Sequence, residues 1–202
     1  MSNNLRLETL DDFLPDPMAF REEAVHQKFY DIRGPDGETY KNIVVRQTNE
    51  FDEQISKRLR CPVKAGYSLL RVNFDGEMPN NAVHSDNGYD QYAAVLYLNL
   101  PEQCRGGTAF WRHRKYGWTH WPTEEQIRRT CRKSSVVMKE LSESYNDPDA
   151  WEMTHVAEMK FNRMIIYPTE VFHSRWPWAA WGQTTENARL IWVSFFSVPS
   201  HD

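Results

Sequence analysis

Ala82-Val83-His84-Ser85-Asp86-Asn87 sets an imidazole and a carboxylate two residues apart, and Tyr92-Ala93-Ala94-Val95-Leu96-Tyr97-Leu98-Asn99-Leu100 follows as an apolar run. On an extended chain, residues i and i+2 project to the same side. One short segment can therefore offer both groups to one ion. The apolar run is short and rich in residues that suit a buried strand. Much farther along, Val171-Phe172-His173 brings a second imidazole to the end of another strand-like segment.

Two imidazoles and one carboxylate hold one face of an octahedral ion and leave the opposite face open, the arrangement of non-haem iron(II) sites. His84, Asp86 and His173 are thus the candidate metal ligands. The same set would also bind zinc, but no His-Glu-x-x-His helix and no obvious general-base Glu accompanies it. His113, His120 and His155 lack a carboxylate at ligand spacing and are read as structural or exposed.

Outward from this centre, Leu5 to Leu10 alternates as an edge strand, and Asp16-Pro17 is an N-cap followed by Pro at the first helical position. Met18, Ala24, Val25 and Phe29 form the expected apolar face of that helix. Gly34-Pro35-Asp36-Gly37 is turn chemistry, and Asn42 to Gln47 is a short β-branched strand. Phe51, Ile55 and Leu59 stripe a second helix over 49–59. Strands are predicted at 67–74, 92–100, behind the Gly106-Gly107 hinge, at 164–168 and at 188–198. Residues 112–150 read as a helical insertion, with a capping box at Thr123-x-x-Gln126 and a stripe of Ile127, Cys131, Met138 and Leu141. Many short strands after an N-terminal helical region, without βαβ alternation, predict an antiparallel sandwich or jelly roll.

Composition sets the bounds. The chain of 202 residues falls within the range of one domain, and its formal charge of -4 gives no global argument for nucleic acid or an anionic membrane. Eight Trp supply bulk for a core. Cys61, Cys104 and Cys131 are odd in number and widely spaced, which fits free thiols in a reducing compartment. No run spans a bilayer. The expectation is a soluble cytoplasmic protein. Arg112 to Lys139 holds a block of basic residues, expected to be a solvated face balanced by nearby acids.

The ordered series of these segments resembles the Fe(II)/2-oxoglutarate-dependent dioxygenases, in particular the prolyl-hydroxylase-like group. The resemblance covers about residues 65–198, with 112–150 as extra. His84-x-Asp86 resembles the first two iron ligands. Val95 to Asn99 followed by Gly106-Gly107-Thr108, and Phe161 to Tyr167 leading to His173, resemble the strands and turn around the site. Asn187-Ala188-Arg189-Leu190-Ile191-Trp192-Val193 resembles the last strand, whose Arg binds the cosubstrate. Asp12 to Pro17 resembles the lead-in to the first helix.

The resemblance implies a mainly β fold with flanking helices. It would be a double-stranded β-helix (jelly roll, cupin-like) forming a single domain over 1–202, with helical support at 1–64 and the insertion at 112–150. It implies Fe(II), 2-oxoglutarate and O2, and hydroxylation of a C–H bond in a small-molecule or peptide substrate with release of succinate and CO2. Asp86 keeps the carboxylate ligand that related halogenases lose. Arg189 would bind the far carboxylate of 2-oxoglutarate, since a guanidinium in an apolar strand requires an anionic partner. Tyr97 would donate to the same carboxylate or serve as a core tyrosine. The gap from His173 to Arg189 is longer than the family's usual spacing, which makes Arg175 a rival anchor. Trp176, Trp178 and Trp181 fill that gap as substrate mouth or core. Two other readings stand beside the oxygenase: a non-catalytic jelly-roll binding module, and a zinc-dependent hydrolase. The lack of a basic stripe with interleaved aromatics argues against nucleic acid.

Overall fold

The computed structural model describes residues 7–34, 37–46, 49–86 and 90–198. In chain order these form β1 (Glu8–Leu10), α1 (Pro17–Val25), β2 (Tyr30–Arg33), β3 (Thr39–Val45), α2 (Asn49–Leu59), β4 (Lys64–Asn73), β5 (Tyr92–Tyr97) and β6 (Gly107–His113). There follow α3 (Glu124–Arg129), α4 (Ser134–Ser144), β7 (Trp151–Glu158), β8 (Met164–Pro168), β9 (His173–Trp176) and β10 (Arg189–Ser197). The fold is mostly β. Seven strands make one antiparallel sheet in the order β1-β8-β5-β10-β4-β3-β2, and three make a second in the order β7-β6-β9. Beyond β9, a lone bridge between His84 and His173 continues the second sheet by one step.

Alternation along the central strands of the large sheet divides its two faces. Leu70, Val72, Leu96, Leu98, Met164, Ile166, Leu190 and Trp192 pack outward with Phe13, Leu14, Ala24, Val25, Phe51 and Ile55, the apolar sides of α1, α2 and the segment before α1. The intervening residues Ala93, Val95, Tyr97, Ile165, Tyr167 and Ile191 pack inward with Ala157 and Met159, and with Phe110 of the small sheet. The period of two in a strand produces this division. On the far side of the small sheet, Ala109, Trp111, Trp151 and Phe172 are covered by Val137 and Leu141 of α4. The insertion is therefore the cover of that sheet's outer face.

Local signals place the helix ends. Asp16 Oδ1 accepts from the Ala19 amide at 3.0 Å, and Thr123 and Gln126 form a reciprocal capping box at α3. Three expectations need correction. The region 1–64 is more than helical support: besides the expected strands β1 and β3 it adds β2 to the large sheet, a strand that is short and largely exposed, with no buried alternation to read. Met18 is half exposed, and buried Arg21 takes its place on the α1 inner face, donating to the Leu98 and Glu186 carbonyls. Cys131 belongs to no helical stripe: it is exposed in the break between α3 and α4, with a positive φ of 54°. Leu5, Gln47 and the middle of the Gly34–Gly37 turn lie outside the described residues.

The basic block is balanced locally, as expected. Arg112 pairs with Glu152, Lys115 and Arg132 with Glu140, and Arg129 with Glu125. The thiols of Cys61, Cys104 and Cys131 are unpaired. Among the described residues, no helix is long and apolar enough to cross a membrane.

The double glycine has a steric reason. A Cβ on Gly107 would lie 2.0 Å from the Ala157 carbonyl oxygen, and one on Gly106 would lie 2.0 Å from that of Trp176. Both contacts are with backbone, which cannot step aside. Gly107→Ala is therefore expected to lower stability by more than about 3 kcal/mol, measured by urea denaturation. A loss under about 1 kcal/mol would show that β6 and β7 can separate there without cost.

Candidate metal centre

His84, Asp86 and His173 come together. One ligand atom from each lies within 4.8 Å of the others, and among the described residues no other group of His, Cys, Asp and Glu meets that test. His84 Nε2 is 3.8 Å from Asp86 Oδ1, and His173 Nε2 is 3.3 Å from Asp86 Oδ2. The two imidazole centroids are 4.6 Å apart. Backbone pairing sets this spacing: the His84 amide donates to the His173 carbonyl at 3.0 Å and the His173 amide returns the bond at 2.8 Å. The Asp86 amide bonds the Thr169 carbonyl at 2.8 Å, which closes the loop over the strand end.

Each imidazole is oriented in the same way. His84 Nδ1 lies 3.2 Å from the Ala82 carbonyl, and His173 Nδ1 lies 3.0 Å from that of Val171. A carbonyl can only accept, so Nδ1 carries the proton in both rings and Nε2 is left as the lone-pair donor. Metal-binding histidines are fixed by this kind of outer bond. Burial, followed by the neighbouring His173, pushes His84 down to about 4, which leaves it neutral and ready to bind an ion. Burial works against the charged forms of Asp86 and His173 as well, but their mutual attraction outweighs it. Asp86 is held below and His173 above its ordinary value.

Arg189 sits at the start of β10, 4% exposed, deep between the sheets. Its Nη1 donates to Asn73 Oδ1 at 3.3 Å, its Nε is buried without a partner, and no carboxylate pairs with it among the described residues. Burial, before any other cause, pulls it down to about 10. Asn73 is itself buried, and its amide donates to Glu77 Oε2 at 3.3 Å. The rival Arg175 is differently placed: its Nε donates to the Trp178 carbonyl at 2.7 Å and its Nη2 to that of Glu77. Much of that guanidinium is therefore used in holding loops.

Tyr97 is fully buried. Its hydroxyl lies 2.8 Å from Thr108 Oγ1 and donates to the Ala157 carbonyl at 3.3 Å, tying β5 to the small sheet across the interior. Burial raises it to about 12. Tyr167 was not singled out in the sequence. Its ring lies 4.8 Å from His173 and 5.3 Å from Phe110, and its hydroxyl makes no hydrogen bond among the described residues. Burial raises it well above 10, with the charges of Asp86 and Arg189 acting on it from opposite directions. Arg71 and Asn73 were likewise read only as part of a strand. Their signal was a polar residue at every second position of β4, Arg71 and Asn73, between buried Leu70 and Val72.

Trp181 is buried in the inner cluster, and Trp178 packs near Trp111, 6.0 Å between centroids. Trp176 is 36% exposed. His113 is buried edge-on against Trp151, His120 Nδ1 bonds the Trp121 carbonyl at 2.9 Å, and His155 stacks on Phe110.

The sequence matches the family DUF6445, described as a family of unknown function, over residues 2–190. The chain belongs to DUF6445. No curated protein matches it. Among solved structures, this DUF6445 chain is similar to a Pseudomonas putida prolyl-4-hydroxylase, with TM-score 0.54, 13% identity, and 94% of this chain and 91% of that one covered. It is also similar to AviO1 from Streptomyces viridochromogenes, with TM-score 0.53 and 10% identity over 96% and 90% of the two chains. A third is SnoK, a non-heme alpha ketoglutarate dependent carbocyclase from nogalamycin biosynthesis, with TM-score 0.51 and 15% identity over 96% and 80%. At these identities the likeness is one of fold.

Proposed function

We propose that this DUF6445 protein is an iron(II)- and 2-oxoglutarate-dependent oxygenase of the prolyl-hydroxylase-like group. It would hydroxylate a C–H bond of a small molecule or peptide side chain and release succinate and CO2. The observation that carries this reading is Arg189, a buried guanidinium with no carboxylate partner among the described residues, on the same interior as the His84–Asp86–His173 cluster. A buried charge without a partner is costly; the far carboxylate of 2-oxoglutarate would remove that cost with charge-assisted bonds. The path of the chain supports the fold of that class. From β4 to β10 it passes back and forth between the large and the small sheet, as a double-stranded β-helix would.

His84, Asp86 and His173 would hold iron through Nε2, a carboxylate oxygen and Nε2. When bound, iron with 2-oxoglutarate and dioxygen supplies the oxidising chemistry. The chain's own work is placement. Arg189 takes the far carboxylate, and either Tyr97 or Tyr167, whose hydroxyl makes no hydrogen bond among the described residues, would donate to it. Unpaired thiols fit a reducing cytoplasm. Anaerobic titration of iron(II) and 2-oxoglutarate into metal-free protein tests the reading. A visible charge-transfer band that needs both components is expected. Tight iron binding with no such band would reject the cosubstrate and leave a non-catalytic module or another metal enzyme.

Asn73 offers a sharper test. Its amide gives oxygen to Arg189 and nitrogen to Glu77, an assignment forced because Arg only donates and a carboxylate only accepts. Asn73→Asp would set a carboxylate against Arg189 in direct competition with the cosubstrate. The 2-oxoglutarate Kd is expected to rise about 10-fold or more, with the iron Kd unchanged. An unaltered 2-oxoglutarate Kd by calorimetry would mean that Arg189 does not hold it.

A further inference from the structure

Arg71 lies one step along β4 from the groups already described. It pairs across the sheet with Ile191, which pairs in turn with Tyr97, and it precedes by two the Asn73 that faces Arg189. It therefore shares the inward face. Its Nε is buried without a partner, and the guanidinium makes no hydrogen bond or ion pair among the described residues. Its charge acts on His84 and Asp86 and also on Arg175 and Arg189. Glu77, an acid whose charge acts on Arg71, is held by the side-chain amides of Asn42 and Asn73 rather than by an arginine.

Charge balance shows what is missing. With a divalent ion bound, three guanidinium groups and that ion would face two carboxylates, Asp86 and Glu77, and the site would keep a surplus of three positive charges. 2-Oxoglutarate brings two negative charges. One positive charge would remain, and Arg71, whose Nε is buried, is the guanidinium with no hydrogen bond or ion pair among the described residues. We propose that Arg71 binds a carboxylate of the primary substrate beside the metal site, so that the substrate is a small organic acid or a chain presenting one carboxylate. This rests on the oxygenase reading above.

The test uses protein loaded anaerobically with iron(II) and 2-oxoglutarate. Benzoate, cyclohexanecarboxylate and hippurate are titrated in, each beside its carboxamide, reading the charge-transfer band and the heat of binding. At least one acid is expected to bind about 10-fold or more tightly than its amide. Arg71→Met should weaken that acid about 10- to 100-fold while leaving the 2-oxoglutarate Kd within about twofold, and Arg71→Lys should recover part of the loss. Equal binding of acid and amide, no acid binding at all, or an equal loss of 2-oxoglutarate in Arg71→Met would each overturn the proposal; the last would make Arg71 a cosubstrate ligand. If wild-type protein gives no band, the oxygenase reading has failed on its own. The same acids titrated calorimetrically into metal-free wild type and Arg71→Met then decide whether Arg71 binds an anion regardless.

Discussion

Arg189→Met is expected to weaken 2-oxoglutarate binding by about 100-fold or more, as removal of one partner from a buried hydrogen-bonded charge pair does. The iron Kd should stay as it was, because Arg189 touches none of His84, Asp86 and His173. The same change should make the ligand-free protein more stable. Arg189 is 4% exposed, its Nε has no partner, and its one bond is a 3.3 Å contact with Asn73. An apolar side chain of similar length removes an uncompensated charge, a gain of about 1–3 kcal/mol. Opposite signs in binding and folding are the signature of a residue kept for a ligand. Calorimetry for 2-oxoglutarate and denaturation of the apo protein measure the two. If Arg189→Met destabilises the apo protein and leaves 2-oxoglutarate binding intact, Arg189 is a packing residue and Arg175 returns as the anchor.

His173→Ala is expected to abolish iron binding in practice, raising the Kd by more than about 100-fold, since loss of an outer partner of a ligand alone costs 10- to 100-fold. His173 is the most buried of the three ligands, with Nδ1 bonded to the Val171 carbonyl and Nε2 3.3 Å from Asp86. Among the described residues, His113, His120 and His155 are engaged in ring contacts or backbone bonds elsewhere. His113→Ala is the matched control. It removes a buried imidazole packed on Trp151, so it should cost stability while leaving the iron Kd within about twofold. Loss of iron in the control and its retention in His173→Ala would refute the centre.

How much of this was legible in the sequence depended on whether its cause was local. The caps at Asp16 and Thr123 were legible because a cap is a bond between residues three apart. The span of α2, 49–59, followed from a stripe at i, i+4 and i+8. The His84–Asp86 pair was legible because period-two geometry places both on one side. His173 was a candidate as an imidazole at a strand end, and Arg189 came through the order of segments in a resemblance, but nothing near either in sequence says what it faces. Where a local signal was weak, the reading failed: β2 has no alternation to read, and Cys131 fits a helical stripe that the chain breaks at 130–133.

By itself, then, the sequence determined most of the strands, the caps and the ligand pair, because each rests on spacing along the chain, and it offered candidates for a third ligand and an anion anchor. Tertiary structure decided which side of each strand became the interior. Leu70, Val72, Arg71 and Asn73 alternate in β4, and alternation says only that they lie on two faces. The outer face is apolar because α1 and α2 cover it, and the inner face can hold Arg71, Asn73, Tyr167 and Arg189 because the small sheet lies opposite. The register of β10 against β4 and β5 sets Arg189 on Asn73 and Ile191 between Arg71 and Tyr97. Those pairings join residues about a hundred positions apart, and no pattern within a single strand can encode which partner it will meet.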